Sequence, residues 1–449
     1  MLLGIEGVTV AGAEEGPDGR LEVWAWVSCP VPCPKCGTFS GKVHEYVTTQ
    51  PRDVRYGSRE IKLYLGKRRL VCGNGDCPRG TFTEWVPQVP PRCKITRRLL
   101  GHCGDEVAGR GITPAESARH NGVSWPSAHG AFAAKADAVL GEELAPVAHL
   151  GVDEHRRGRA RWRRDEETGE YTLLADRWHT CFYDLSGIQG MLGQVEGRTA
   201  DDAAYWLAGA TPAWRDAVQV VAIDMCTIYQ SAVQKMLPGA RIAVDLFHVV
   251  QLAVKTVADV RRRAIRELYG RRGKAGDPEY GIKHLLEKNL ENLSGGQFGK
   301  VVETLDATGP GQHIALAWIG KEKLRHALNL RARVTGSVPC ERQVRDRLFA
   351  FYDWCAQNEQ VTELTTLART ISRWEDEIIT AVLTGVTSAR CESLNRIAKL
   401  EARHAYGFRN PGNQRRRVRT ACTRGTRRKT SWPPSTVSRT VTMRQRAPG

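Results

Sequence analysis

The stretch Val147-Ala148-His149-Leu150-Gly151-Val152-Asp153-Glu154-His155 decides how this chain folds. It acquires its meaning beside a second run, Val218-Gln219-Val220-Val221-Ala222-Ile223, which ends in Asp224. Short, apolar, β-branched runs of this kind predict strands buried on both faces. Each delivers one carboxylate at its C-terminal end, the edge where open α/β sheets place ligands and chemistry. A third acid, Glu392, lies far downstream in a stretch with helical periodicity. Two strand-end aspartates and a distant helical glutamate are what a two-metal phosphodiester-cutting site needs.

Around those acids, residues 146–260 predict three strands, a helix, a strand, a helix and a strand. After the Asp153 strand comes an arginine-rich turn at 156–161, then strands around 171–183 and 188–195. Thr199 caps a helix through Leu207, the Asp224 strand follows, and a helix spans roughly 228–236. The short strand Ile242-Ala243-Val244 leads into Asp245-Leu246-Phe247-His248. That order is the order of a ribonuclease-H-like mixed sheet, an analogy of element order rather than of any single residue. Asp245 and His248 form a D-x-x-H pair that either supports the acids or is a helix cap beside a packed histidine. Glu154 and Asp184 rank below the three chosen acids.

Residues 261–386 continue a helical pattern between the second aspartate and the glutamate, so they read as an insertion into the catalytic fold. Its positive segment, Arg261-Arg262-Arg263 with Arg266, Arg271, Arg272 and Lys274, is either a holder of DNA backbone or a solvated linker. Residues 387–413 return to the core with the helix that carries Glu392. Asn395, Arg396, Lys399 and Arg403 follow the acid on one face, a row of phosphate-seeking groups. Residues 414–449 are rich in Arg, Ser, Thr and Pro and read as a basic, disordered tail.

The N-terminal third carries different chemistry. Residues 1–90 alternate short β-like runs with Gly and Pro turns, and embed Cys33-Pro34-Lys35-Cys36 and Cys72-Gly73-Asn74-Gly75-Asp76-Cys77. Each pair offers two thiolates from one tight turn, so together they predict a tetrahedral zinc site, a zinc ribbon. Residues 91–145 turn helical. Thr113 caps a helix with Pro114 at its first position, Asn121-Gly122 ends it, and Ser124 caps the next. A short helix, a Gly-containing turn and a second capped helix predict a helix-turn-helix, with 125–137 as recognition helix. Arg119, Ser124 and Ser127 are its candidate DNA contacts, and Arg97, Arg98 and Arg110 its candidate phosphate contacts.

The totals agree with a polyanionic partner. The chain has 449 residues, enough for several domains, and a formal charge of +17. Its thirteen cysteines are two close pairs plus scattered single residues, the usage of a reducing compartment with one metal site. No apolar run approaches the roughly 20 residues that span a bilayer, and the start lacks a signal peptide's basic region. The expectation is a cytoplasmic, nucleoid-associated protein. No Gly-rich phosphate loop with its lysine and no nucleophile elbow is present, which argues against nucleotide-driven work and Ser/His/Asp hydrolysis.

On these motifs the chain resembles the ISL3 family of insertion-sequence transposases. The resemblance covers about residues 1–413 and is most specific at GVDEH (151–155), VDLFHVVQLA (244–253) and CESLNRIAKLEARHAYGFRN (391–410). It implies that Asp153, Asp224 and Glu392 form a DDE triad holding two Mg²⁺ (or Mn²⁺) ions, and that Cys33, Cys36, Cys72 and Cys77 ligate structural zinc. It also implies recognition of terminal inverted repeats, strand cleavage and strand transfer on double-stranded DNA, and a homo-oligomer that bridges two transposon ends. The family usually continues past the G-F-R-N motif with an apolar segment, where this chain begins its basic tail at Pro411. Two other readings stay open: a DNA-binding regulator or inactivated relic that uses only the ribbon and helix-turn-helix, and a structure-selective nuclease of the same fold.

Overall fold

The computed structural model describes residues 4–141, 143–175 and 177–427. The chain divides into two compact units, one made of Met1–Glu142 with Asn410–Arg424, the other built on Glu143–Arg409.

In the first unit, β1 (Val8–Glu15) and β2 (Leu21–Val27) form a hairpin, and β2 runs parallel to the long β4 (Ile61–Val71). β3 (Val43–Thr49) and β5 (Thr81–Thr83) both pair antiparallel with β4. Alternation along β2 sends Leu21, Val23, Ala25 and Val27 into a core shared with Leu63, Leu65, Val86 and Val89. Helices follow within the same unit: α1 (Arg97–Asp105), a single π-helical turn at Glu106–Arg110, α2 (Pro114–His120) and α3 (Trp125–Leu140). The caps read from sequence are present. Thr113 Oγ1 accepts from the Glu116 N–H at 3.1 Å, and Ser124 Oγ from the Ser127 N–H at 3.3 Å. The buried Glu106 carboxylate locks the turn between α2 and α3, accepting from Ser117 Oγ at 2.8 Å and Asn121 Nδ2 at 2.7 Å.

Two expectations change here. Arg98 is not a free phosphate contact. Its Nε donates to the buried Asp53 carboxylate at 2.7 Å, and Thr96 Oγ1 donates to the same acid at 2.7 Å. Arg98 therefore ties α1 to the segment between β3 and β4, while Arg97, Arg110 and Arg119 stay exposed. The start of the expected disordered tail is also different, because Pro411–Arg427 form a helix whose residues through Arg424 belong to the first unit. Its apolar residues are few, but Val418, Ala421 and Cys422 fall on one buried face. Three of its arginines serve the fold: Arg416 pairs with Asp137 at 2.8 Å, Arg417 donates to the Gly111 carbonyl at 2.9 Å, and Arg424 to the Ala108 carbonyl at 3.1 Å. Average composition hid this periodicity. The rest of the expected tail, 428–449, lies outside the described residues.

The second unit is organised by a five-stranded sheet in the order β10-β9-β6-β11-β12. Its strands are β6 (His149–Arg156), β9 (Trp178–Asp184), β10 (Met191–Glu196), β11 (Val220–Ile223) and β12 (Arg241–Val244). β9 runs antiparallel to both of its neighbours, β6 and β10, and β6, β11 and β12 run parallel. The parallel strands read as continuous apolar runs because both faces are covered; every residue of β11 is buried. The expected strand over 171–183 is split in two. Its first part, β8 (Tyr171–Ala175), pairs with β7 (Arg161–Arg164) in a separate ribbon, and only β9 joins the main sheet.

Helices α4 (Ala200–Ala208) and α5 (Pro212–Asp216) lead to β11, α6 (Thr227–Met236) leads to β12, and α7 (Leu246–Tyr269) follows. α4 opens with a full capping box between Thr199 and Asp202. The boundary at 260/261 falls inside the unbroken α7, so the helical insertion is continuous with the core rather than hinged to it. One hydrophobic cluster runs from Val147 through the sheet to Val386.

Candidate active site and metal centres

The four ribbon cysteines converge. Their sulfurs lie within 4.8 Å of one another, with Cys33 and Cys77 at 4.0 Å and Cys36 and Cys72 at 3.5 Å. A tetrahedral zinc with Zn–S bonds of about 2.3 Å needs S···S edges of roughly 3.8 Å, so this donor set fits the ion. The Thr38 hydroxyl beside Cys36 draws its thiol down to about 6, toward the thiolate a metal requires.

In the second unit, strand register sets the acids. Gly151 pairs with Ala222 across the parallel β6/β11 ladder, so Asp153 and Asp224, each two residues further on, stand level at one sheet edge. Ile223 pairs with Val244, which brings Asp245 level as well. Asp153 is not the last residue of its strand, since β6 continues to Arg156 opposite Trp178. Burial, then the negative charge of Asp224, pushes the Asp153 carboxyl up to about 6. Two carboxylates in mutual repulsion, oxygen donors only, form a set that suits a hard divalent cation.

Asp245 caps α7, accepting from the Phe247 N–H at 2.9 Å, and also accepts from the Ser388 hydroxyl. His248 is half-exposed, with Nδ1 3.2 Å from Asp224 Oδ1. That contact raises the imidazole above its ordinary value. Thus Asp245 is indeed a cap, but His248 is no packed core histidine. Asp224, Asp245 and His248 have ligand atoms within 4.8 Å of one another.

Glu392 lies on the first turn of the helix Ala389–His404. Its side chain is exposed and faces Arg396 at 3.8 Å, and it is not part of the Asp224–Asp245–His248 cluster. Arg396, Lys399 and Arg403 share the exposed side of this helix, while Cys391, Leu394, Asn395 and Ala398 are buried. Asn395 therefore leaves the row of phosphate-seeking groups. Its Nδ2 donates to Asp153 Oδ2 at 2.7 Å, and Tyr183 donates its hydroxyl proton to the Asn395 carbonyl. Sequence reasoning missed Tyr183 and Ser388, whose partners are 212 and 143 residues away.

Gly151 allows this helix to settle on β6. A Cβ there would lie 2.4 Å from Cys391 Sγ. Arg390 fastens the same helix by donating to the Gly187 carbonyl at 2.8 Å. Asp184, ranked low among the acids, accepts from the Gly187 N–H at 2.7 Å and the Ser186 N–H at 3.1 Å, and so shapes a turn.

In the first unit, Arg119 and Ser124 are exposed, and the Ser124 and Ser127 hydroxyls are 2.8 Å apart. No helix among the described residues is long and apolar enough to cross a membrane.

A thiolate cage and level carboxylates at the edge of a mixed sheet are the parts of a metal-dependent, DNA-acting enzyme, and the known proteins it is similar to are transposases. The DDE family model of ISL3 transposases, described as "Transposase", matches residues 150–418, more than half of the chain. A second model, described as a zinc-finger of transposase IS204/IS1001/IS1096/IS1165, matches residues 30–77. The chain belongs to the ISL3 family of transposases. It is 25% identical over 402 residues to the transposase for insertion sequence element IS1001 of Bordetella parapertussis, covering 88% of this chain and 90% of that one. It is 28% identical over 211 residues to the transposase for IS1557 of Mycobacterium tuberculosis, covering 42% and 45%. The enzyme is a transposase acting on DNA, with a divalent-metal site and a structural zinc ribbon.

Proposed function

We propose that this transposase cuts and joins DNA at the terminal inverted repeats of its element, with Asp153, Asp224 and Glu392 as the catalytic carboxylates of a ribonuclease-H-like core. The observation that carries the reading is the level placement of Asp153 and Asp224 on neighbouring parallel strands, with Asp153 raised to about 6 by burial and by its partner's charge. Asp153 and Asp224 would hold Mg²⁺ or Mn²⁺, with Glu392 the exposed carboxylate of the adjoining helix. Two such ions, when bound, supply charge neutralisation at the scissile phosphate and an activated water.

The chain's own groups prepare that site. Asn395 orients Asp153 through Oδ2, and the Glu154 N–H holds Oδ1 at 2.7 Å, so the carboxylate is fixed from both sides with its remaining lone pairs turned to the sheet edge. His248 Nδ1–H holds Asp224 Oδ1 in the same way, and Asp245 steadies the turn that presents the imidazole. Arg396, Lys399 and Arg403 offer cations along the exposed face beyond Glu392, where a DNA backbone would lie. Arg119, Ser124 and Ser127 are the proposed end-recognition residues of a helix-turn-helix, and a homo-oligomer would bring two ends together.

The test uses purified protein, a labelled duplex carrying the element end, and Mg²⁺ or EDTA, with Glu392→Gln in parallel. Cleavage at the element boundary that needs metal and is lost in Glu392→Gln supports the reading. Tight binding with no cleavage or joining by the wild type would leave a regulator or relic instead.

A further inference from the structure

The basic segment that follows the catalytic sheet is not one undifferentiated charge run. The fold sorts it into cations that hold structure and cations that are left over. Arg263 is consumed by Glu363 at 2.8 Å and Glu267 at 2.8 Å. Arg271 makes a two-pronged pair with Asp277, both contacts 2.8 Å, and that pair closes the loop after α7. Gly270 ends α7 with a φ of 64°, and Gly273 lets the returning chain lie against Ile265 and Tyr280, where a Cβ would meet Ile265 at 3.0 Å. The chain thus doubles back on the last turns of α7.

Doubling back creates a cavity of about 430 Å³ lined by Arg261, Arg262, Arg266, Arg272, Lys283 and Tyr280, among others. Tyr280 forms its aromatic wall: Lys283 Nζ lies 4.2 Å from the ring centroid and 3.0 Å from the hydroxyl, and Arg261 sits 5.9 Å from the centroid. Those cations draw the phenol below its ordinary value, Lys283 most strongly. Arg262 has Asp259 as a partner. Among the described residues, Arg266 and Arg272 enter no ion pair, and no acid is among the residues that line the cavity. Five cations around one concavity repel one another, and the arrangement is relieved by an anion with several oxygens.

We infer that this cavity is a second DNA-backbone site, separate from the catalytic carboxylates, in which Arg261, Arg262, Arg266, Arg272 and Lys283 bind successive backbone phosphates of the duplex. The inference rests on the DNA-cutting reading only for the identity of the anion. Arg271 closes the loop that shapes the cavity, and of the five lining cations Arg266 and Arg272, which enter no ion pair among the described residues, contribute most to the binding.

The experiment measures binding of the element-end duplex by the full-length protein in EDTA across a salt series. It compares wild type with Arg266→Gln/Arg272→Gln and with Arg342→Gln, an exposed arginine elsewhere in the insertion. Each lost phosphate contact lowers the slope of log affinity against log salt by about 1. The double variant is expected to lose about two from the slope, and Arg342→Gln none. Lys283→Gln, which loses one, is the second variant should the double one not fold. An unchanged slope in variants that melt like wild type overturns the site. If the wild type cleaves normally in that case, the catalytic reading stands alone. Protection of the wild type from heat by tripolyphosphate, with the slope unchanged, would make it a pocket for small anions and also overturn the proposal.

Discussion

Asn395 donates its amide to Asp153 at 2.7 Å across 242 positions of sequence, and Tyr183 fixes the amide from the other side. Its orientation is thereby set: the carbonyl accepts from the phenol, so Nδ2 must face the carboxylate. Asn395→Ala is expected to slow metal-dependent cleavage by about 10–100-fold, the usual cost of losing a group that orients a metal ligand. Leaving Tyr183 and Asp153 without this partner would also cost about 1–3 kcal/mol of stability. Asn395→Asp, which preserves shape but removes the donor, should be no better in activity. Single-turnover cleavage and thermal melting check both, and full activity in Asn395→Ala would remove Asn395 from any positioning role.

The approach of the Glu392 helix to β6 is set by Gly151. A methyl group there would sit 2.4 Å from Cys391 Sγ and 3.0 Å from Leu185 Cδ2. Gly151→Ala should therefore destabilise the second unit by about 1–3 kcal/mol through overpacking and displace Asn395 from Asp153. Adding Cys391→Ala removes the closer clash. A double-mutant cycle is expected to recover roughly 1 kcal/mol, and strictly additive losses would show that the two residues do not constrain each other.

Much of this was legible in the sequence, for physical reasons. Buried parallel strands must be apolar throughout, so Val147–Val152 and Val218–Ile223 announced themselves, and the acids closing them stood out. Cys33/Cys36 and Cys72/Cys77 were legible because a tetrahedral ion needs two tight turns. What could not be read was which polar groups find each other across hundreds of residues. Arg98 looked like any surface arginine until Asp53 came beneath it, and Asn395 looked like one of a polar row until the helix rotated it inward. The helix Pro411–Arg427 was lost in its own arginines, whose hydrogen bonds to Asp137, Gly111 and Ala108 have no local signature. The level placement of Asp153 and Asp224 at one sheet edge was legible as a pattern, and the groups that orient those two acids were not.

Zinc should matter to the first unit and not to the second. The ribbon's sulfurs cluster around Cys33 and Cys77, which pack with Leu70 and Phe82 in a small core of their own. So small a core has little stability without its metal. Chelation, or Cys72→Ser, is expected to make residues 30–83 sensitive to protease while fragments containing β6–β12 remain protected. Limited proteolysis with mass spectrometry reads this, together with a metal count of one zinc per chain before chelation. Equal protection with and without chelator would argue against a structural metal.

Acid should reveal the balance between two neighbours on β6. Burial lowers His155 from its ordinary 6.5 to about 4, while burial and Asp224 raise Asp153 from 3.8 to about 6. As pH falls below 6.5, the unfolded chain takes up a proton at His155 that the folded chain refuses, so stability is lost until about pH 4. Over nearly the same window, from about 6 down to 3.8, the folded chain holds a proton on Asp153 that the unfolded chain does not, so stability is gained. Each effect amounts to at most about 3 kcal/mol, and their signs are opposite. Metal-free wild type should therefore show only a weak contribution from this pair. Asp153→Asn removes the compensating half, and its second unit should melt progressively lower between pH 6.5 and 4 than at pH 7. Melting curves in EDTA across that range decide it: parallel curves for the two proteins would mean that Asp153 does not carry the raised affinity for a proton that its burial and the charge of Asp224 demand.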